Sequence, residues 1–308
     1  MSKVPIHSCC AALLLAALPI LLTGCPKPLF SENVVRTSDM VYGAGYVKDN
    51  TAEIGYRLKD LYFDLIEPTD GPATLRPAVL MIHGGSFLTG SKADENLVRA
   101  ANGLATEGYV CFLIDYRLDG DRPPVEKSWQ PDTEGTKDLN IPSLAAVRAA
   151  FVDAKTAMRH IRANSSTYGI DPDRIAVWGE SAGAFAALAV GLTDPEEFED
   201  DGNGLPVPME NNPYVNPKPA AIIDCWGSSV FTNDAFDADD PPVMIFHGKN
   251  DKVISYLLAL NVKSKCEAVG IPHRFYGISG GGHGCWDCTY QGRTLTDLTL
   301  DFLAEFMP

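Results

Sequence analysis

The sequence has few positive charges, few cysteines and one long hydrophobic run, and each shortage excludes a class of protein. Its 308 residues hold 25 Lys and Arg against 40 Asp and Glu, which gives a net charge of −15. Nucleic acids and anionic lipids need clustered cations, so neither is expected as the main partner. Eight cysteines are too few for a domain held together mainly by disulfides. The negative charge is spread along the chain and most simply keeps the surface soluble.

What is present is the composition of an ordinary globular chain. Hydrophobic residues make up 45% of the sequence and charged residues 21%, which excludes a disordered, collagen-like or coiled-coil chain. After a removable leader, about 280 residues remain, enough for one large α/β domain or two small ones. The sequence has no visible internal repeat.

The one long apolar run lies near the N-terminus and predicts export. Residues 11–22 (AALLLAALPILL) follow the charged Lys3. A helix of that length reaches about 18 Å, well short of the ~30 Å hydrocarbon core, so a signal peptide is favoured over a transmembrane helix. Residues 22–25, Leu-Thr-Gly-Cys, resemble the bacterial lipobox, which implies removal of 1–24 and acylation of Cys25. The alternative is a plain secretory leader in which this cysteine is incidental.

These signals divide the chain into three parts. We predict a lipoprotein signal peptide over residues 1–24, a proline-containing polar tether over 25–40 and a catalytic domain over 41–308. The lipobox resemblance implies an exported lipoprotein that is anchored to a membrane, in the periplasm or at the cell surface. The oligomeric state is left open.

Short apolar runs alternate with amphipathic patterns along the rest of the chain. The runs are rich in β-branched residues and bounded by Gly, Pro or Asp, as expected of central strands that helices cover on both faces. The predicted strands are 78–83, 110–116, 175–178, 220–225, 243–247 and 273–276, with 56–66 as an edge hairpin strand. The predicted helices are 93–107, 143–164, 182–193, 255–269 and 294–307. This order predicts an α/β fold with a doubly wound, mostly parallel sheet.

Two long stretches interrupt this alternation. Residues 119–142 contain several prolines and charges, and residues 193–219 are rich in Pro, Asn, Gly and acidic residues. Loops of this length in a compact domain are usually functional. They are expected either to border a pocket at the carboxyl ends of the strands or to be surface insertions.

Residues 179–183, Gly-Glu-Ser-Ala-Gly, predict a nucleophile. This G-x-S-x-G pattern follows a predicted strand and opens a predicted helix, which is the context of a nucleophile elbow. Its two glycines lack Cβ atoms, so the turn can be tight and the neighbouring backbone can come close. The pattern alone occurs by chance in many proteins, but in this context it assigns the role of nucleophile to Ser181.

A serine hydroxyl needs a general base, which a carboxylate orients, and in this fold the expected chain order is Ser, acid, His. His283 lies in a glycine-rich loop, residues 279–284, which lets an imidazole reach across the sheet, and we assign it as the base. Asp251 follows the strand 243–247, near the sheet edge where ligands bind, and we assign it as the acid. His247 is expected to shape the loop that carries this acid.

Other candidates for these roles fit less well. His273 enters a predicted strand, Asp224 lies inside one, and residues 234–240 read as a solvated loop. Asp287 is too close in sequence to His283 to orient it easily. Glu180 is expected to serve the geometry of the tight turn.

The developing oxyanion of a tetrahedral intermediate needs backbone N–H donors. Residues 83–86, His-Gly-Gly-Ser, directly follow a predicted strand and resemble the HGGG-type donor loop. That resemblance implies an oxyanion hole formed by the amides of Gly84 and Gly85 together with that of Ala182, the residue after the nucleophile. Ser86 stands where related loops have a third glycine, which leaves open whether it also donates.

Taken together, these motifs resemble those of one enzyme family. From about residue 40 to the C-terminus the chain is similar to α/β-hydrolases of the esterase and lipase group. The similarity is to hormone-sensitive-lipase-like carboxylesterases and bacterial feruloyl-esterase-like proteins. The motifs that carry it are 41–43 (VYG), 83–85 (HGG), 115–118 (DYRL), 168–172 (YGIDP) and 179–183 (GESAG).

The resemblance implies hydrolysis of carboxylic esters through an acyl-enzyme, without a metal or cofactor. Short-chain or aryl esters, of feruloyl or acetyl type and either free or linked to polysaccharide, are the expected substrates. Two alternatives are a serine exopeptidase or amidase of the same fold and a non-catalytic surface-binding lipoprotein.

The cysteines beyond the leader suggest two buried thiols and one bridge. Cys111 and Cys225 lie in apolar strand-like runs and are expected to be buried. Cys285 and Cys288 have C-x-x-C spacing, which lacks the second pair of a zinc site. In an exported chain we expect a local disulfide or a bridge to Cys266, and the sequence does not decide between them.

Overall fold

The computed structural model describes residues 33–70, 75–125, 129, 143–201 and 204–308. The predicted signal peptide, Cys25 and the start of the predicted tether lie outside the described residues. None of the helices in the described part is long and apolar enough to cross a bilayer.

Eight strands form one twisted sheet in the order β1-β2-β4-β3-β5-β6-β7-β8. They are β1 (Val34–Lys48), β2 (Tyr56–Pro68), β3 (Arg76–Ile82), β4 (Val110–Ile114), β5 (Ile170–Glu180), β6 (Ala221–Cys225), β7 (Val243–Gly248) and β8 (His273–Ile278). The pairs β1–β2 and β2–β4 are antiparallel and the other pairs are parallel. The predicted mostly parallel sheet is therefore confirmed. Two short strands, β9 (Thr289–Tyr290) and β10 (Arg293–Thr294), form a separate ribbon.

Helices cover both faces of the sheet. They are α1 (Glu95–Thr106), α2 (Leu144–Ala163), α3 (Ser165–Tyr168), α4 (Ala182–Leu192), α5 (Tyr256–Val269) and α6 (Leu295–Phe306). One apolar core lies between the sheet and α2, α4 and α5, and a second lies between the sheet and α1 and α6. Ser143 caps α2 by accepting the amide hydrogen of Ala146, as its sequence position predicts. This layering leaves the carboxyl edge of the parallel strands free for a site.

The predicted boundary between tether and domain is wrong. Residues 34–40 belong to β1, which pairs with β2 along its length and forms the edge of the sheet. The strand that was predicted at 56–66 as the edge strand is therefore β2, and β1 lies at the edge of the sheet instead. Many residues in the first half of β1 are exposed, so that half has no apolar alternation by which a sequence pattern could reveal a strand.

The described part of the segment 193–219 packs against α2. The buried Lys155 of α2 donates to the carbonyl oxygens of Asp194 and Glu197. Burial lowers the pKa of Lys155 to about 7. These bonds tie the segment to the domain core, whereas most of the other long loop, 119–142, lies outside the described residues.

A buried ion network joins the same segment to the end of β4. Arg117 is fully buried and lies 2.6 Å from a carboxylate oxygen of Asp153 on α2 and 2.6 Å from one of Asp201. Its Nη1 also donates to the carbonyl oxygen of Tyr46 on β1. A buried guanidinium needs such partners because its desolvation is costly. The network therefore fixes three separate parts of the chain near the carboxyl edge of the sheet.

Candidate active site

Ser181 occupies a strained turn between β5 and α4. Its backbone has φ +52° and ψ −119°, a conformation that non-glycine residues rarely adopt. Both flanking glycines are required. A Cβ at Gly179 would lie 2.1 Å from the carbonyl oxygen of Gly183, and a Cβ at Gly183 would lie 2.1 Å from that of Ile82. The amide of Ser181 donates to the carbonyl oxygen of Cys225 at the end of β6, which ties the turn to the neighbouring strand.

Three predicted side chains meet at the carboxyl edge of the sheet. The Oγ of Ser181 lies 2.9 Å from Nε2 of His283, and Nδ1 of His283 lies 2.8 Å from Oδ2 of Asp251. Ser181 and His283 are 102 positions apart in the chain. Because the carboxylate accepts from Nδ1, the other ring nitrogen faces the serine hydroxyl in the orientation that a general base needs.

The carboxylate of Asp251 is completely buried and accepts on both oxygens. Oδ1 accepts the amide hydrogens of Val253 and Ile254 at 2.8 and 2.9 Å. Oδ2 lies 2.8 Å from Nδ1 of His283 and 3.2 Å from Nε2 of His247. Burial favours the neutral acid, but these hydrogen bonds outweigh it and hold the pKa of Asp251 well below its usual range. The carboxylate therefore stays charged beside His283.

The amide of Gly84 does not face the site, so its predicted place in an oxyanion hole is wrong. That amide donates to Oε1 of Glu180, and the other oxygen of Glu180 accepts the indole N–H of Trp226 at 3.0 Å. A Cβ at Gly84 would lie 2.5 Å from this carboxylate, so the contact also requires glycine. Burial raises the pKa of Glu180, while these two donors favour its charged form.

The amides of Gly85, Ser86 and Ala182 are among those that have no protein acceptor within the described residues. Gly85, Ser86 and Phe87 have φ values of +108°, +55° and +61°. These three consecutive positive φ values make the loop after β3 change direction. The carbonyl oxygen of Gly85 accepts the amide hydrogens of Leu88 and Thr89. The two predicted donors at 85 and 182 thus remain available, as does the amide of Ser86.

The sequence did not indicate several residues that stabilise the loop after β3. The rings of His83 and Tyr116 stack at 4.3 Å, and the hydroxyl of Tyr116 donates to the carbonyl oxygen of His83 at 3.1 Å. Burial lowers the pKa of His83, which favours the neutral ring. Trp226 is buried behind Glu180 and packs against Trp286. The DYRL motif contains Tyr116, and only its position in that motif could have indicated this role.

Among the described residues, neither His273 nor Asp224 is hydrogen-bonded to Ser181 or His283. His273 begins β8, and its Nδ1 lies 3.1 Å from the carbonyl oxygen of Ile271. Asp224 is buried within β6. The described residues contain no group of three or more His, Cys, Asp or Glu side chains that could hold a metal ion.

The cysteine pair closes a small loop next to the histidine. Cys285 and Cys288 form a disulfide, which is the local one of the two predicted pairings. Cys266 is a free, buried thiol, as are Cys111 and Cys225. The bridge begins two residues after His283 and lies within the chain that leads to β9.

In sequence, the chain is similar to known esterases. The BD-FAE family model matches residues 141–235, which contain Ser181. The chain is 27% identical to a chlorogenic acid esterase of Aspergillus niger over 50% of its own length and 28% of that protein's. It is 26% identical to the esterase LipC of Mycobacterium tuberculosis over 72% of its own length and 56% of that protein's. The chain thus spans less than two thirds of the length of these curated relatives.

Solved structures resemble the fold over most of the chain. A carbohydrate esterase from gut microbiota superimposes with a TM-score of 0.62 at 19% identity, over 92% of this chain and 99% of that one. A thermophilic esterase of Thermogutta terrifontis gives a TM-score of 0.61 at 22% identity, over 85% and 94%. Identities this low establish the fold alone. The chain has an α/β-hydrolase fold, and the relatives that it resembles are esterases.

Proposed function

We propose that the protein is a carboxylic-ester hydrolase that works through an acyl-enzyme on Ser181. The observation that carries this proposal is the unbroken hydrogen-bond path from the Ser181 hydroxyl through His283 to the buried carboxylate of Asp251. The names of the sequence relatives, which are esterases, support the same reaction class.

Ser181 attacks the carbonyl carbon of the ester while Nε2 of His283 accepts the hydroxyl proton. Asp251 keeps the imidazole oriented and stabilises its charged form. The tetrahedral intermediate collapses as His283 returns the proton to the leaving alcohol, which leaves an acyl group on Ser181. Water then attacks this acyl-enzyme, with His283 first as base and then as acid, and releases the carboxylic acid and free serine.

The amides of Gly85, Ser86 and Ala182 hold the negative oxygen of both tetrahedral intermediates. This set differs from the sequence interpretation because the amide of Gly84 is engaged by Glu180. Backbone donors are fixed before the reaction, so they need no reorganisation as charge develops, and each is worth about 3 kcal/mol of barrier. Glu180 serves them indirectly by holding the loop.

The proposed substrates are esters with a short acyl or an aryl group. A groove of about 300 Å³ is lined by Trp129, Phe198 and Phe231, among other residues. Phe231 contacts Phe185 with 5.6 Å between ring centroids, and Phe185 lies one helical turn after Ser181. Aromatic walls favour a flat aryl group, and the chlorogenic acid esterase among the relatives supports an aryl ester.

A substrate panel tests the proposal. Acetyl, butyryl, longer acyl and feruloyl esters are compared with a matched amide, using purified protein and its Ser181→Ala variant. Hydrolysis of short or feruloyl esters by the native protein alone, with much slower amide cleavage, supports it. Faster cleavage of the amide would assign the chain to the amidases, and no turnover of any substrate would favour a binding protein.

We also propose that the protein is exported and anchored through a lipid on Cys25. The support is the apolar run of residues 11–22 followed by the lipobox-like residues 22–25. In a bacterial host, the full chain should enter the membrane fraction and incorporate radiolabelled palmitate. The Cys25→Ser variant should do neither, and labelling of that variant would contradict the proposal.

A further inference from the structure

A second histidine contacts the carboxylate that orients His283. Oδ2 of Asp251 lies 2.8 Å from Nδ1 of His283 and 3.2 Å from Nε2 of His247. The side chains of His247 and Asp251 are both completely buried, whereas that of His283 is 22% exposed. One carboxylate oxygen is therefore shared by two imidazoles, one facing Ser181 and one inside the domain.

The hydrogen on His247 can be located from its second partner. Nε2 of His247 lies 2.9 Å from the carbonyl oxygen of Ile254. A carbonyl oxygen only accepts, so Nε2 must carry a hydrogen. The same N–H donates to Ile254 and makes a longer, three-centre contact of 3.2 Å with Asp251, so it links the start and end of the loop that carries the acid. The sequence spacing of four residues between His247 and Asp251 makes this closure possible.

A second carboxylate faces His247 from the neighbouring strand. Asp224 on β6 pairs in register with Ile245 on β7, so His247, two positions further, lies on the same face of the sheet. Oδ1 of Asp224 accepts the amide hydrogen of Gly227, while Oδ2 of Asp224 and Nδ1 of His247 have no partner among the described residues. Asp224 acts on His247 electrostatically.

The titratable groups around His247 come from every element that packs against it. They are Asp224 from β6, Asp251 and His283 from the two loops, and Tyr256 from α5, whose ring lies 6.1 Å away. Burial lowers the pKa of His247, but its hydrogen bonds and the two carboxylates outweigh burial and raise it overall. Burial raises the pKa of Asp224 to about 6.

We propose that His247 is a positioning residue of the reaction. Its donation to Oδ2 of Asp251 fixes the position of this carboxylate and weakens the stabilisation that the carboxylate gives to the protonated form of His283. The proposal rests on the proposed function and goes beyond it, because it gives the triad a fourth member that touches neither substrate nor Ser181. The consequence is that the enzyme should remain active at lower pH than it would if Asp251 were hydrogen-bonded to His283 alone.

The direction of this effect is the same whether His247 is neutral or charged. In either form Nε2 carries the hydrogen that Asp251 accepts, and a positive charge only strengthens the bond. A carboxylate that serves two donors stabilises the protonated form of His283 less than one that serves a single donor. The acid limb of kcat/KM should therefore lie at lower pH when His247 supplies its donor than when that donor is removed.

The test compares the pH dependence of kcat/KM in the native protein, His247→Gln and His247→Leu. The glutamine amide can still donate to Asp251, so its profile should match that of the native protein. The leucine variant lacks the donor, so the midpoint of its acid limb should rise by about one pH unit. Below that midpoint kcat/KM should fall about tenfold. Tyr256→Phe is the matched control, since it alters the ring beside His247 without touching Asp251.

An unmoved acid limb in a folded His247→Leu variant would overturn the proposal, as would equal shifts in the leucine and glutamine variants. If the leucine variant does not fold, nitrogen NMR of the full chain carrying Ser181→Ala decides. Nε2 of His247 should be protonated, and its signal should move in the Asp251→Asn background. An unprotonated Nε2 would contradict the proposal. Failure of the native protein to hydrolyse any ester would instead count against the proposed function.

Discussion

The backbone amide of Gly84 donates to the carboxylate of Glu180, so the residue before the nucleophile holds the loop that follows β3. The same carboxylate accepts from the indole of Trp226 at the end of β6. Three strand ends are thus joined by one partly buried side chain. This contact engages the amide of Gly84 and leaves the next two amides in the loop, those of Gly85 and Ser86, without a protein acceptor among the described residues.

Loss of the Glu180 carboxylate should impair the reaction more than it impairs binding. In Glu180→Leu the loop loses its anchor and the oxyanion donors lose their alignment, so kcat should fall roughly 100-fold with little change in KM. Glu180→Gln keeps an acceptor for Gly84 and should lose about tenfold or less. Trp226→Phe, which removes only the second donor, serves as the control. A Glu180→Leu enzyme with native kcat would contradict this role.

The three side chains of the proposed triad should act as a unit. Ser181→Ala and His283→Ala should each lower kcat by about 10⁴-fold or more, and the double variant should be no worse than the poorer single one. Asp251→Asn should lose at least ~10²-fold because the neutral amide cannot stabilise the charged imidazole and can hold the wrong tautomer. Circular dichroism should confirm that each variant is folded. Losses that multiply in the double variant would show that the residues act independently.

Asp224 should make the protein less stable as the pH rises. Its pKa is raised to about 6 in the folded chain, from the ordinary value of 3.8, because the side chain is fully buried. The folded state therefore binds this proton more tightly than the unfolded state, and stability falls as pH increases from about 4 to about 6. Asp224→Asn should raise the free energy of unfolding by on the order of 2–3 kcal/mol at pH 8.

The same Asp224→Asn substitution should give almost no gain at pH 4, where the native carboxyl is already neutral. Urea unfolding at both pH values measures the difference. An equal gain at pH 4 and pH 8 would mean that the effect comes from packing rather than from charge.

The buried ion pair between Arg117 and Asp153 should matter far more than a surface pair. Both side chains are at most 1% exposed, so Asp153→Ala leaves a buried guanidinium without one of its partners and should cost about 3–5 kcal/mol. Asp301→Ala, which breaks the exposed pair with Arg293, should cost less than ~1 kcal/mol. Chemical denaturation of the two variants compares them directly, and equal losses would contradict the assigned role of Arg117.

Much of this architecture was predictable because its signals are local. The central strands are continuous apolar runs, and the turn around Ser181 needs glycine on both sides, so both are visible in a short stretch of sequence. Pairings between distant segments were not. The exposed half of β1 has no apolar alternation, and the bond from Gly84 to Glu180 joins residues 96 positions apart. The sharing of Asp251 by two histidines depends on how β7 and the loop after β8 meet.

The central claim is that Ser181 is a nucleophile activated by His283. Its most direct test is exposure of the native protein to a fluorophosphonate, followed by intact mass measurement and peptide mapping. The account predicts one adduct, located on Ser181, that is absent in Ser181→Ala and forms far more slowly in His283→Ala. A protein that stays unmodified, or that carries the adduct on another residue while Ser181 remains free, would contradict it.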